Sequence, residues 1–344
     1  MLYFSTFISG IQNFISKIIQ NYINDIEVLK ILDGGILYKS NKTFQEIENI
    51  RFFNNTFFVF NYLENFDGTI ENYIEKLDFN KIFNCDFLQN FFKKNKNFKI
   101  FSSVENELIS VNKKVLSKLE NEIKKQYKIN VNFDKKPSDY EFWLLSRSEK
   151  ITFFMLRITK NRKKCEKGEL KPEISNILNL IAGIDENDVI LDPFCGSGSI
   201  LLERSRIANF KGLFNCDIDK EKVLALKDKI KKINNKKLNK SFFVKNLDFF
   251  ENNFDNNFFT KIITDPPWGF FEKIDNIDAF YSKFFEISYR ILKENGFLVL
   301  LTANKNEVAS LLNKSLNKFQ LQEKYDVLIS GKKAGIYKIL KKNK

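Results

Sequence analysis

Apolar and polar positions follow two different periods along this chain, and the changes of period mark out its elements. In the C-terminal half, short apolar runs end in an acid or a turn: "DVILD" (188–192), "GLFNCDID" (212–219), "SFFVKNLDFF" (241–250), "KIITDPPW" (261–268) and "GFLVLLTA" (296–303). Each reads as a strand. Between them, "SILLERSRIA" and "KEKVLALKDKIKKI" have helical spacing, and "IDAFYSKFFEISYRILKENG" reads as a helix stopped by Gly296. Strands alternating with helices predict an α/β fold with a parallel, doubly wound, Rossmann-like sheet. The closing stretch "YDVLISGKKAGIYKILKK" predicts a hairpin turning near Gly331, which gives that sheet an antiparallel edge.

The first 160 residues follow a weaker, mixed pattern. "GIQNFISKIIQNYI" and "VNKKVLSKLENEIKKQYKI" are amphipathic at helical period. "ILDGGILYKS", "NTFFVFNYL", "EFWLLSR" and "KITFFMLRIT" read as strands. Helices against an antiparallel sheet predict an α+β region. Between the halves, Arg157, Lys160, Arg162, Lys163, Lys164 and Lys167 face only Glu166 and Glu169. The expected division is therefore an α+β region over 1–160, a basic linker over 161–172 and an α/β domain over 173–344. The linker is either a solvated connector or a strap that contacts phosphates.

Charge and composition narrow the chemistry. The formal net charge of +13 over 344 residues favours a polyanionic partner. Lys, Asn, Ile and Phe are enriched together, as an AT-rich genome would also produce. Histidine is absent, which removes His-based triads and HExxH zinc sites. Cys85, Cys165, Cys195 and Cys216 form no CxxC pair, so no metal site is expected, and their dispersal suits a reducing, cytoplasmic setting. The N-terminal stretch lacks the basic start of a signal peptide, and no apolar run reaches the length of a membrane span.

The candidate site lies at the predicted strand ends. In "DPFCGSGSILLE" a strand ends at Asp192, and Gly196 and Gly198 permit positive φ and close backbone approach. The helix that follows points its free N–H groups back at the turn, as in a nucleotide pocket. The spacing matches neither the dinucleotide fingerprint nor a P-loop. Asp217 ends the next strand and suits the two hydroxyls of a ribose, with Ile218 beside it for an adenine face. Asp248 ends the third and suits an adenine 6-amino group. Each of these acids could instead cap a helix. In "TDPPWGFF" the Asp265 carboxylate and the Pro266 carbonyl can each accept an N–H from a planar exocyclic amine, localising its lone pair. Pro266 and Pro267 stiffen the loop, and Trp268 offers a face for a splayed base.

These residues resemble the class I S-adenosylmethionine-dependent amino-methyltransferases: "DPFCGSGSILLE" is similar to their first motif and "DPPWG" to their (Asp/Asn)-Pro-Pro-aromatic motif. With Gly168, Leu170 and Pro172 just upstream, the stretch is similar to the THUMP-domain RNA guanine-N2 methyltransferases, although Ser199 stands where Thr is usual. The resemblance implies S-adenosylmethionine bound by Asp192, Phe194, Cys195, Gly196, Ser197, Gly198, Asp217, Ile218 and Asp248. It implies catalysis at Asp265, Pro266, Pro267 and Trp268, and a guanine 2-amino group in tRNA as target, with ribosomal RNA next. It also implies a ferredoxin-like piece plus a THUMP domain in the N-terminal region. The competing readings are a DNA adenine or cytosine amino-methyltransferase, a small-molecule or protein-glutamine methyltransferase, and a non-catalytic RNA-binding protein on the same fold. The extra region lies wholly N-terminal, which favours RNA, and Gly196, Gly198 and Asp265 all stand, which favours an enzyme.

Overall fold

The computed structural model describes residues 1–83, 86–134, 137–160, 169–233, 241–269 and 274–343. Arg162, Lys163, Lys164, Glu166, Lys167 and Gly168 of the expected linker lie outside the described residues, as do Cys85 and Cys165. Contacts divide the chain into two units: Met1–Thr6 with Ser16–Arg162, and Phe7–Ile15 with Lys163–Lys344.

The first unit is built on one mixed sheet. Its strands are β1 (Leu2–Thr6), β2 (Glu27–Leu32), β3 (Gly35–Lys39), β4 (Asn55–Glu64), β5 (Asn97–Val104), β6 (Glu107–Leu108), β7 (Asn130–Val131), β8 (Tyr140–Arg147) and β9 (Ile151–Arg157). They run in the order β2-β3-β1-β4-β9-β8-β5-β6, with β7 also on β5. Only the pairings of β5 with β7 and β8 are parallel. β9 is buried along all but its last residue, and its continuous apolar run suits a central strand covered on both faces. Phe4 of β1 stacks on Phe153 of β9 with ring centroids 4.6 Å apart. Of its helices, Lys113–Tyr127 falls on one amphipathic stretch; the other is met by Gln12–Tyr22, of which Ser16–Tyr22 belongs to this unit.

The second unit carries β10 (Val189–Asp192), β11 (Gly212–Asp217), β12 (Phe242–Asn246), β13 (Phe259–Thr264), β14 (Leu292–Thr302), β15 (Phe319–Ile329) and β16 (Lys332–Lys341). Their order is β12-β11-β10-β13-β14-β16-β15. The strands from β12 to β14 are mutually parallel, and β16 pairs antiparallel with both β14 and β15. The core over this sheet joins Leu191, Ile262, Leu298 and Leu300 to Phe284, Phe285 and Ile291 of the helix Ile277–Ile291. Each such side chain contributes about 1.5–3 kcal/mol on burial. Within this unit Phe7–Ile15 packs on β15. A Cβ at Gly10 would fall 1.8 Å from the Asp326 carbonyl oxygen, so only glycine fits there.

Two elements depart from the expected boundaries. The helix Ile277–Ile291 ends before Gly296, because Leu292 turns extended and pairs with Phe259. The Asn257 and Phe258 N–H groups donate to the carbonyls of Arg290 and Ile291, which satisfies the helix end. Gly296 serves the sheet instead, since a Cβ there would come within 2.9 Å of the Thr260 carbonyl oxygen. The run "SFFVKNLDFF" is a strand only to Asn246 and then makes a 3-10 turn at Phe249–Glu251.

A buried ion cluster pins the sheet at the end opposite to the strand termini that carry the motifs. Asp188, just before β10, accepts from Arg204 Nη2 at 3.0 Å and from Lys261 Nζ at 2.6 Å. Arg204 also donates to the carbonyls of Asp185, Ala208 and Asn209, and Lys261 to that of Gly183. Removing one partner of such a cluster costs on the order of 3–5 kcal/mol. It fixes β10, β13 and the helix Ser199–Ile207 against one another, and those elements deliver the site. Among the described residues, no helix is long and apolar enough to cross a membrane.

Candidate active site

Strand order reverses between β10 and β13: the chain builds outward from β10 through β11 to β12, then returns to β13 on the other side. In open α/β sheets that switch point, at the carboxyl ends of the strands, opens a crevice for ligands. Asp192 ends β10 and Asp265 directly follows β13, so the two motif acids meet there.

The turn after β10 is held by its own backbone. Cys195 N donates to Cys216 O at 2.9 Å, Gly198 N to Cys195 O at 2.7 Å, and Gly196 N to Asp217 Oδ2 at 2.7 Å. Gly196 and Gly198 have φ of 48° and 75°. Gly198 caps the helix Ser199–Ile207 without a side chain. A Cβ at Gly196 would meet nothing within 4 Å, so the turn borders open space. Ser197 and Ser199 share a hydrogen bond of 2.8 Å, and Ser199 lies 3.4 Å from Glu169 Oε1.

The predicted cofactor residues divide by position. Asp217 Oδ1 accepts from Asp219 N at 2.8 Å, so each carboxylate oxygen holds one backbone N–H and keeps acceptor capacity. Ile218 is 72% exposed, which is unusual for its type and leaves an apolar face at the strand end. Asp248 caps the 3-10 turn through Phe250 N at 2.8 Å. Phe194 is half-buried among Phe249, Phe250, Phe280 and Phe284. Cys195 is buried, and burial raises its thiol pKa, so it is not poised to react. Asp192 lies beneath the turn at 1% exposure, accepting from Thr264 Oγ1 at 2.9 Å and Phe194 N at 3.3 Å. Burial pushes its carboxyl up to about 8, with the charges of Asp265 and Asp217 adding to the effect.

The loop after β13 is held by side chains. Trp268 Nε1 donates to Asp265 Oδ1 at 2.8 Å, closing Asp265, Pro266, Pro267 and Trp268 into a ring. Pro266 is buried and Pro267 half-buried. Burial pushes the Asp265 carboxyl up to about 7 against the opposing pull of the Trp268 N–H. A carboxylate at that value can accept hydrogen bonds and take a proton near neutral pH. The motif predicts a stacking face for Trp268, and its edge also orients the acid. Two residues join the site without a motif signal of their own: Thr264, whose hydroxyl donates to Asp192, and Asn246, whose Nδ2 donates to the carbonyls of Asp217 and Ile218. Among the described residues, no group of three or more His, Cys, Asp or Glu could hold a metal ion.

A switch-point crevice with a glycine turn on one wall and an Asp-Pro-Pro-aromatic loop on the other defines the class I methyltransferase architecture. The chain belongs to the family of RMKL-like methyltransferase domains, whose profile matches residues 160–334. A tRNA (guanine(10)-N2)-dimethyltransferase of Methanocaldococcus jannaschii is 31% identical over 153 residues, 43% of this chain and 41% of the relative. Its namesake in Methanothermobacter thermautotrophicus is 25% identical over 164 residues, 46% of this chain and 45% of the relative. The chain thus spans less than half the length of the curated relatives it matches. In fold, TrmN from Thermus thermophilus superposes with a TM-score of 0.75 at 17% identity, covering 99% of both chains. SMU.472, solved with SAH, gives 0.72 at 14% identity, covering 100% of this chain and 98% of that one.

Proposed function

We propose that this chain transfers a methyl group from S-adenosylmethionine to the exocyclic 2-amino group of a guanosine in RNA, with tRNA the first substrate to test. The observation that carries the reading is the Asp265 carboxylate, fixed by the Trp268 indole at the switch point beside the glycine turn. The names of the two curated relatives support the substrate class.

The residues present fit the cofactor: open space borders Gly196, and Asp217 and Ile218 stand together at the β11 end with acceptor capacity and an exposed apolar face. Asp217 would hold the ribose hydroxyls, Ile218 the adenine face and Asp248 the adenine amine. Phe194, Cys195, Gly196, Ser197 and Gly198 would line the remainder, with Asp192 supporting them from below. When bound, the cofactor supplies a methyl group on a sulfonium. The chain's own part is to orient the amine. Asp265 and the Pro266 carbonyl each accept one N–H, which draws the nitrogen towards tetrahedral geometry and directs its lone pair. Alignment of this kind can supply ~7–11 kcal/mol. The proton released as the new bond forms passes to Asp265. Trp268 offers its face to the splayed base. The N-terminal region, read as ferredoxin-like plus THUMP-like over 1–160, would grip the RNA, with the basic linker against phosphates.

Transcribed tRNA incubated with labelled S-adenosylmethionine and digested to nucleosides should yield N2-methylguanosine. N6-methyladenosine in its place would replace the substrate, and no incorporation into any RNA would end the reading.

A further inference from the structure

We infer that Asn304 is a positioning residue for the reaction, setting the Asp265 carboxylate from behind through the Trp268 main chain. The inference rests on the reading of Asp265 given above. Asn304 follows β14 and stands at the N-cap of the helix Lys305–Lys314. Asparagine is among the preferred residues there because its side chain accepts from the first free N–H groups. Here it makes no such cap bond. Its Nδ2 instead donates to Trp268 O at 3.3 Å and to Tyr281 Oη at 3.4 Å. Its own N–H donates to Thr302 Oγ1 at 3.0 Å, and Thr302 and Tyr281 share a buried hydrogen bond of 2.6 Å.

The helix start therefore gives up its natural cap to hold the loop. A local rule broken in this way points to a compensating role elsewhere. The geometry supplies one. Asp265, Pro266, Pro267 and Trp268 form a ring closed by the indole N–H, with one end continuing from β13. At the other end Gly269, after Trp268, has φ of 83°, and a Cβ there would meet nothing within 4 Å among the described residues. Asn304 fixes that end by gripping the Trp268 carbonyl. Tyr281 is fully buried and anchored to Thr302, so the grip has a rigid base in β14 and the helix Ile277–Ile291. Without it, the Trp268 main chain loses one of its holds, and the indole is less closely set against Asp265. The acid then loses its orientation relative to the amine it serves.

The test uses the full chain with Asn304→Ala and Asn304→Asp, beside Asp265→Ala as reference. The Asp variant is isosteric, replaces the donor by a carboxylate oxygen that repels the Trp268 carbonyl, and remains a good helix cap. Both Asn304 variants should lower kcat on transcribed tRNA by about tenfold or more. They should leave S-adenosylmethionine affinity within twofold, and Asn304→Asp should melt no lower than wild type. A second readout needs no turnover. In a Trp143→Phe background Trp268 is the sole tryptophan, and its emission should shift to the red in both variants. A kcat within twofold of wild type with unshifted emission would overturn the inference, and so would a kcat loss in Asn304→Asp that comes with a lowered melting temperature and unshifted emission. If wild type itself methylates no RNA, the functional reading fails, while the emission still decides whether Asn304 holds the loop.

Discussion

Two loops face each other across the switch point and are built on opposite plans. The turn after β10 is fixed mainly by its main chain: Cys195 and Gly198 bond to backbone carbonyls, Gly196 N donates to the Asp217 carboxylate, and the glycine conformations are ones few other residues adopt. The loop after β13 is fixed by side chains: Trp268 on Asp265, and Asn304 on Trp268. Backbone walls are stiff and depend little on side-chain identity, but an added Cβ strains them at positive φ. Side-chain walls aim specific atoms and can be loosened one atom at a time. A cofactor common to every turnover suits the first plan. The second suits the amine proposed as target, which must be turned towards tetrahedral geometry.

The largest expected effect lies in the second wall. Asp265→Ala should lower kcat by about 10²–10³, the scale of a lost preorganised contact, with cofactor affinity within a few-fold. Single-turnover assays on tRNA would separate that step from RNA binding. A wild-type rate would make the loop structural and remove the comparison. Asp217→Ala should do the converse, weakening cofactor binding by roughly 1.5–3 kcal/mol while the bound complex still turns over. Asp217 also accepts from Gly196 N, so part of that loss belongs to a loosened turn. Calorimetry that finds unchanged affinity in the folded variant would free Asp217 of the role.

The same contrast explains what the sequence could disclose. A turn made of backbone announces itself by its glycines, so Gly196 and Gly198 were legible, as was the acid ending each of β10 and β11. The parallel order followed from alternating periods. A loop held by remote side chains announces only its own residues. Asn304 lies 36 positions from Trp268 and sits in "TANKNE", which looks like an ordinary helix start. The first unit was harder for a related reason. β1 is five residues long and β5 lies in a stretch where lysine and asparagine break the alternation, yet both sit within the sheet. Their place is set by partners distant in sequence, such as Phe153 for Phe4. Gly296 misled because a glycine after an amphipathic run signals a helix stop, whereas here it admits a neighbouring strand.

Acidity supplies the next test. In the proposed reaction Asp265 must be ionised to accept from the amine, and burial pushes its carboxyl up to about 7. The rate should therefore fall about tenfold per pH unit below that value and level off above it. A flat profile from pH 5.5 to 8 would deny Asp265 its part. Stability should run the other way. Asp192 and Asp265 hold their protons more tightly folded, at about 8 and about 7 against an ordinary 3.8. Their contribution is present below pH 3.8, declines as pH rises and is lost as pH passes through those folded values. Asp192→Asn removes one of these titrations, so its melting temperature should fall less between pH 5 and 8 than that of wild type.

The smallest effects should come from adding one methyl group to the backbone-built wall, and two glycines make the test internal. A Cβ at Gly198 would fall 2.5 Å from Leu226 Cδ1, so alanine there must move a buried leucine as well as hold φ at 75°. A Cβ at Gly196 meets nothing within 4 Å and bears only the conformational cost of φ at 48°. Left-handed backbone costs a non-glycine residue roughly 1–2 kcal/mol. Gly196→Ala should therefore lose stability near the lower figure, and Gly198→Ala should lose more. Binding should reverse the order. The space beside Gly196 is open in the protein alone, and S-adenosylmethionine is proposed to fill it. Gly196→Ala should then lose cofactor affinity several-fold beyond its small loss of stability, because the methyl group stands where the ligand must approach the main chain. If Gly196→Ala binds the cofactor as wild type does, the open space belongs to another ligand, and the backbone-built wall would no longer be the cofactor's.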